Sequence, residues 1–176
     1  MFSRKAGPQP PAWIDVARCY YSKIESDRRD SVRVMKSPDE GDASDTNPGT
    51  LCMRLVADSR EVLILDAAGN EEGRIGSRGV GLGYAMRRSG RAVWTVSTRS
   101  AVMRRHVLEF ADGRAWDVRT PCFWWMNIVC SENGTTHALG QVGPRKWLWF
   151  FWIEPGKDTR DVLSALSFMH RRWWRL

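Results

Sequence analysis

The fold is decided near the C-terminus, by the stretch DTRDVLSALSFMHRRWW at residues 158–174. Asp158 follows a Pro-Gly pair and is placed to act as an N-cap, and Asp161 favours the positive end of a helix dipole. Between residues 162 and 169 no side chain is charged. A helix without a polar face must be buried on every side. Its 17 residues would span about 25 Å, which is short for a membrane span and fits the axis of a small barrel.

A repeated hairpin pattern precedes this helix. Four turn signals lie between apolar, β-branched or aromatic runs, and their glycines are 21, 23 and 21 residues apart, at Gly69, Gly90, Gly113 and Gly134. Glycine accepts the positive φ that tight hairpin turns require. The flanking runs predict ten strands, at residues 52–57, 62–65, 73–75, 82–86, 92–98, 102–110, 115–119, 123–130, 137–142 and 147–153. Regular spacing of this kind predicts an antiparallel meander.

The meander and the apolar helix together predict the fold class. We expect a mainly β protein in which the sheet closes into a barrel of roughly twelve strands around the C-terminal helix, since a barrel of about eleven strands can hold a helix on its axis. Residues 14–35 fit two further strands or a short amphipathic helix, and the pattern leaves both open. A sheet that folds over the helix without closing, an α+β roll, is the alternative.

Composition divides the chain at residue 50. Residues 1–50 form an N-terminal arm followed by a Ser-, Pro-, Asp- and Gly-rich linker at 37–50, and residues 51–176 form the predicted barrel. The first part holds eight basic and eight acidic residues, so the net charge of +7 lies in the second part. The start of the chain lacks the apolar core of a signal peptide, and the four cysteines have no C-x-x-C spacing. We therefore expect reduced thiols and a cytoplasmic location, with peripheral membrane attachment.

The last predicted strand, WLWFFWI at residues 147–153, is apolar on both faces. A strand of this kind needs cover on its second face. The candidates are the N-terminal arm with Trp13, Tyr20 and Tyr21, a protein partner, or a membrane surface. We favour the arm, because its aromatic side chains can supply that cover.

These patterns resemble the tubby-like superfamily, in the branch of the LURP-one-related and phospholipid scramblase proteins. The repeated hairpin unit carries the likeness, as in VLILDAAGN at 62–70 followed by GRIG at 73–76, and LEFADGR at 108–114. The Trp-rich last strand and the terminal apolar helix are similar too. The resemblance spans residues 51–176 and implies a twelve-stranded barrel around a C-terminal helix, with a non-enzymatic, lipid-linked role. Scramblases carry an acidic calcium-binding segment near that helix, whereas here basic residues interrupt Glu154, Asp158 and Asp161.

Basic residues in three places are candidates for binding an anion or a lipid headgroup. Those of the C-terminus flank two tryptophans, which suits a lipid headgroup region or stacked nucleic-acid bases. The candidates are Arg87, Arg88, Arg91, Arg104, Arg105, Arg171, Arg172, Trp173, Trp174 and Arg175. Cations at the end of a helix also complement its dipole, and arginines at hairpin edges are commonly solvated. Either interpretation fits the sequence.

The sequence contains no recognisable set of catalytic residues, cofactor loop or metal ligands. The histidines are scattered. A glycine-rich stretch at residues 76–83 alternates with Val80 and Leu82, which predicts a strand that passes close to another backbone, beside the central helix, rather than a nucleotide loop. We therefore expect a non-enzymatic module, without cofactor or metal, that binds anionic phospholipid or phosphoinositide at a membrane surface. The alternatives are a nucleic-acid-binding barrel, and a structural domain that docks a protein on the strand at 147–153.

Overall fold

Twelve strands and one α-helix make up the computed structural model, which describes residues 11–24, 31–36, 51–56, 59, 61–80, 83–101, 104–119, 127–142, 148–157 and 159–170. A single 3-10 turn, Ile14–Val16, comes first. The strands are β1 (Arg18–Ile24), β2 (Ser31–Lys36), β3 (Leu51–Val56), β4 (Glu61–Leu65), β5 (Glu71–Ser77), β6 (Tyr84–Arg88), β7 (Arg91–Ser100), β8 (Arg105–Phe110), β9 (Ala115–Arg119), β10 (Asn127–Glu132), β11 (Thr135–Val142) and β12 (Leu148–Ile153). Helix α1 is Arg160–His170.

The strands form a closed antiparallel barrel. Each strand pairs with its neighbours in sequence, and β1 closes the ring by pairing with β12, with Cys19 opposite Trp152 and Tyr21 opposite Phe150. This confirms the predicted fold class and excludes the open roll. Residues 14–35 supply β1 and β2 rather than an amphipathic helix. The barrel therefore includes strands from the segment that the sequence analysis assigns to an N-terminal arm.

The hairpin turns have the backbone that their glycines predict. All four adopt positive φ, at 87° for Gly69, 79° for Gly90, 88° for Gly113 and 84° for Gly134. Ser89 and Asn133 precede two of these glycines and have φ of 50° and 49°. Two successive residues with positive φ define the type I′ turn, whose twist matches that of paired strands. The glycine spacing thus locates four hairpins correctly.

Helix α1 is enclosed by the barrel. Every residue from 162 to 169 is at most 2% exposed, as predicted for a helix with no charged face. The Phe168 ring contacts the rings of Tyr84 and Trp94, at centroid distances of 5.2 and 5.8 Å. The Thr159 hydroxyl accepts a hydrogen bond from the Val162 N–H at 3.3 Å, which is an N-cap contact. The sequence assigned that cap to Asp158, which lies outside the described residues, as do residues 171–174 of the predicted helix.

The helix runs from one end of the barrel to the other. We call the end that carries the four glycine turns and the β12–α1 connection the entry end, and the opposite end the distal end. Arg160 binds Glu72, in the second position of β5, at the entry end. Phe168 contacts Tyr84, which begins β6, at the distal end. The C-terminal end of α1 therefore points to the distal end.

Strand β12 has an inward and an outward apolar face. Phe151 and Ile153 are fully buried in the core. Phe150 and Trp152 face outward and are half-buried, with ring centroids 6.2 Å apart, and the ring of Tyr21 lies 6.3 Å from that of Phe150. The arm thus packs beside β12 as strand β1 and contacts its outer face through Tyr21. Trp147, the first residue of the predicted strand, lies outside the described residues.

Candidate functional site

The arginines of the β6–β7 hairpin lie at the entry end. Arg88 binds the Asp161 carboxylate of α1 at 3.0 Å and also donates to the main-chain oxygen of Glu72. Arg160 of α1 binds the Glu72 carboxylate, with Nε at 3.0 Å from Oε2. These two ion pairs join the first turn of the helix to the rim of the barrel. The charge of Arg88 is therefore neutralised by Asp161, and Arg88 holds α1 against the rim rather than presenting its charge to a ligand.

Arg87 and Arg91, in the same hairpin, are exposed and make no ion pair within the described residues. Arg87 lies opposite Arg74 across β5 and β6, and Arg74 binds both Glu61 and Glu71. The carboxylates of Glu61 and Glu71 are therefore bound to Arg74 rather than to Arg87 or Arg91. Arg87 and Arg91 are exposed charges at the edge of the hairpin, and their role as an anion site stays a prediction.

Arg105 lies at the distal end of β8, directly opposite Arg119 of β9. The next pair along these strands, His106 and Val118, is buried, so alternation turns both arginine side chains to the outer surface. Residues directly opposite each other have Cβ atoms about 5 Å apart, and like charges at that separation destabilise a sheet. Neither arginine has a carboxylate partner in the described part of the chain. The pair is therefore an unneutralised double positive charge.

Arg99 of β7 adds a third cation beside this pair. Its guanidinium lies 3.4 Å from Oδ1 of Asp117, and both side chains are highly exposed, at 67% and 63%. Asp117 is two residues before Arg119 on the same outer face of β9. Arg99 therefore binds the one carboxylate near Arg105 and Arg119, and the cluster Arg99, Arg105 and Arg119 together with Asp117 keeps a net charge of +2. We call it the distal arginine cluster.

Arg104 and His106 lie behind the cluster, at the start of β8. Arg104 has a positive φ of 47°, which turns the chain into the strand. His106 faces inward, and its Nδ1 lies 3.2 Å from the Thr98 hydroxyl. Burial, with a smaller contribution from the positive charge of Arg104, lowers the pKa of His106 from 6.5 to about 4. The imidazole is thus neutral at physiological pH and adds no charge to the distal end.

The sequence-derived candidates do not come together in one site. Strand β7 separates the group of Arg87, Arg88 and Arg91 from Arg104 and Arg105, and its ten residues extend about 30 Å. Arg171, Arg172, Trp173, Trp174 and Arg175 lie outside the described residues. Among the candidates that the structure describes, Arg105 differs in its opposing residue. Arg87 and Arg91 lie opposite Arg74 and Arg88, which are each bound to a carboxylate, whereas Arg105 lies opposite Arg119, which is bound to none within the described residues.

Sequence reasoning missed Arg99 and Arg119. Arg119 ends a strand that was predicted with its observed bounds, and it lies seven residues after Asp112, just as Arg105 lies seven residues before it. Counting outward from that turn would have paired the two arginines. Arg99 had no comparable signal, because a bulge between Thr98 and Ser100 interrupts the register of β7 with β8.

A second polar group closes the entry end. Nδ1 of His137 lies 2.5 Å from a carboxylate oxygen of Glu154, and the imidazole stacks on the buried ring of Trp116 at 5.6 Å. Glu132 lies farther away, at 3.7 Å from Nε2. These contacts tie the β10–β11 hairpin to the connection that leads into α1. Within the described ranges, no group of three or more His, Cys, Asp or Glu side chains is arranged to hold a metal ion.

Comparison with known proteins gives no relative for this chain. No family model matches it, and neither a curated protein nor a solved structure matches it. Among the helices that the structure describes, none has the length and apolar character needed to cross a membrane.

Proposed function

We propose that this chain is a tubby-like module, of the LURP-one and scramblase type, that has no enzymatic activity and binds anionic phospholipid or phosphoinositide at a membrane surface. The observation that carries the proposal is the pair Arg105 and Arg119 at the distal end. Two arginines directly opposite each other in a strand pair, with no carboxylate partner of their own among the described residues, repel each other, and a bound anion would relieve that repulsion.

Phosphate is an anion that this pair is suited to bind. An arginine fork donates two parallel hydrogen bonds to a phosphate or carboxylate, and its charge persists at every physiological pH. Exposed basic residues near a bilayer contribute about 1 kcal/mol each to binding of anionic lipid. Placed on a rim rather than in a cavity, Arg99, Arg105 and Arg119 can reach headgroups on an extended surface.

The fold supports the family part of the proposal. A closed barrel of twelve strands around a C-terminal helix is what the resemblance of residues 51–176 implies. The end at which α1 finishes is also the end of the distal arginine cluster.

Co-sedimentation with vesicles tests the proposal. We expect the protein to sediment with phosphatidylcholine vesicles that contain phosphoinositide or phosphatidylserine, and not with phosphatidylcholine alone. The double variant R105Q/R119Q should bind about 30-fold more weakly, since two contacts of about 1 kcal/mol each are lost. The matched control is R87Q/R91Q, which removes the same charge from the entry end and should bind like the wild type.

The outcomes separate the hypotheses. Equal losses in the two double variants would mean that total charge, rather than the distal cluster, drives binding. A wild type that fails to bind anionic vesicles, yet binds oligonucleotides with steep salt dependence, would favour the nucleic-acid alternative. The triple change of Arg171, Arg172 and Arg175 to alanine measures what the C-terminus adds to the cluster.

A further inference from the structure

Val80 is a fully exposed apolar residue at the distal end. It lies in the loop between β5 and β6, and its relative exposure is 104%. Among the described residues only one other large apolar side chain is exposed, Val16 at 67%, next to the start of β1 at the entry end. A single exposed valine is ordinary on a protein surface. Val80 suggests a function because it lies near the distal arginine cluster.

The loop that carries Val80 has a base closed by its own hydrogen bonds. The Arg78 N–H donates to the carbonyl oxygen of Gly83 at 2.9 Å, and the Gly79 N–H donates to the Ser77 hydroxyl at 3.1 Å. Gly83 has a φ of 86°, and a Cβ there would lie 1.9 Å from the carbonyl oxygen of Val96. The base of the loop is therefore pressed against β7, and Val80 projects away from the barrel.

Val80 and the distal arginine cluster lie on the same rim. Two strand spacings separate β6 from β8 and three separate it from β9, which corresponds to about 10–15 Å. An apolar side chain that enters the boundary between headgroups and acyl chains, with cations beside it in the headgroup plane, is the usual arrangement of a protein attached to a bilayer surface. Arg78, two residues before Val80, is exposed as well.

We infer that Val80 inserts into the headgroup–acyl boundary of an anionic bilayer while Arg105 and Arg119 bind the lipid phosphates. The inference rests on the proposed function and narrows it, because it makes an intact bilayer, rather than a free phosphate compound, the ligand of the distal end. It also orients the barrel, with the distal rim against the membrane and the entry end directed away from it.

The experiment compares vesicles with a soluble anion. Val80→Ser should weaken partition into phosphatidylcholine vesicles containing phosphoinositide about tenfold, since the transfer of one valine side chain is lost. Val80→Leu should strengthen it. The matched control, Val16→Ser, removes an exposed valine from the entry end and should leave partition unchanged. Binding of soluble inositol hexakisphosphate, measured by calorimetry, should be the same for Val80→Ser and wild type.

The inference is overturned if Val80→Ser partitions like the wild type, or if it loses the soluble anion as strongly as the vesicle. Either result would leave the proposed function intact, provided that R105Q/R119Q still weakens vesicle binding. If the wild type does not bind anionic vesicles, both the inference about Val80 and the proposed function are refuted. Val80 contacts no core residue, so unchanged thermal unfolding of its variants is the expected check on folding.

Discussion

Two serines of α1 provide a direct test of the buried helix. Ser164 and Ser167 are each 1% exposed and lie three residues apart on the same helix. The Ser164 hydroxyl accepts a hydrogen bond from the Trp94 indole N–H at 2.9 Å and donates to the Asp161 carbonyl oxygen at 2.8 Å. The Ser167 hydroxyl has no hydrogen-bond partner among the residues that the structure describes. We therefore expect Ser164→Ala and Ser167→Ala to change the free energy of unfolding in opposite directions.

The magnitudes follow from hydrogen bonding and helix propensity. Replacing serine by alanine inside a helix gains up to about 0.5 kcal/mol in either position. Ser164→Ala leaves the fully buried Trp94 N–H without an acceptor, which costs roughly 1–3 kcal/mol. Ser167→Ala removes a hydroxyl that is buried without a partner. The variant therefore avoids a desolvation cost of similar size, which raises its free energy of unfolding. We expect Ser164→Ala to be destabilising by about 1–2 kcal/mol and Ser167→Ala to be stabilising by about as much.

Thermal and urea unfolding measure the difference. For a domain of this size, 1 kcal/mol corresponds to about 2–4 °C in Tm, so the two variants should differ by about 6–10 °C. A double-mutant cycle with Trp94→Phe isolates the indole–hydroxyl bond, which should contribute about 1 kcal/mol of coupling. Equal shifts in the same direction would refute the reasoning, since they would mean that the hydroxyls of Ser164 and Ser167 are equivalent.

Two further predictions concern backbone and charge. Gly83→Ala should destabilise the barrel by at least about 3 kcal/mol in urea unfolding, because the new Cβ meets the Val96 oxygen and the backbone φ is unfavourable for alanine. Gly90 also has a positive φ but has open space around it, so Gly90→Ala should cost about 1 kcal/mol. Equal costs for the two variants would contradict the close approach of Gly83 to β7. The imidazole of His106 should titrate near pH 4 when followed by NMR. As the pH falls from 6.5 to 4, the unfolded state takes up a proton that the folded state does not, so the free energy of unfolding should fall by up to about 3 kcal/mol. A titration midpoint above pH 6 would contradict the burial of His106.

Most of the elements were predictable because their signals are local. A glycine at each of four turns reports a positive φ that few other residues adopt, so the spacing of Gly69, Gly90, Gly113 and Gly134 locates the hairpins. An uncharged stretch from 162 to 169 has one stable environment in water, which is the inside of a protein. The glycine-rich stretch was predicted as a strand close to another backbone, beside the helix. Gly83 does approach the backbone of β7, but β5 ends at Ser77 and β6 begins at Tyr84, so the strand assignment was wrong for the residues described between them.

The candidate site was predictable only in part. Charge composition indicated the arginines, but hairpin membership alone did not separate Arg88, which is bound to Asp161, from Arg105, which faces Arg119. The difference depends on where α1 enters the barrel. Asp161 and Arg88 are 73 residues apart in sequence, and no local pattern links them.

The meander, the turn positions and the burial of the terminal helix could be inferred from the amino-acid sequence, since each depends on backbone preference or on the cost of exposing apolar surface to water. The completion of the ring by residues 18–36 became evident in the folded barrel alone. Closure pairs Tyr21 with Phe150, and contacts between distant segments depend on register and on the geometry of the whole barrel. The same geometry placed one arginine group at each end, and so decided which of them keeps an unneutralised charge.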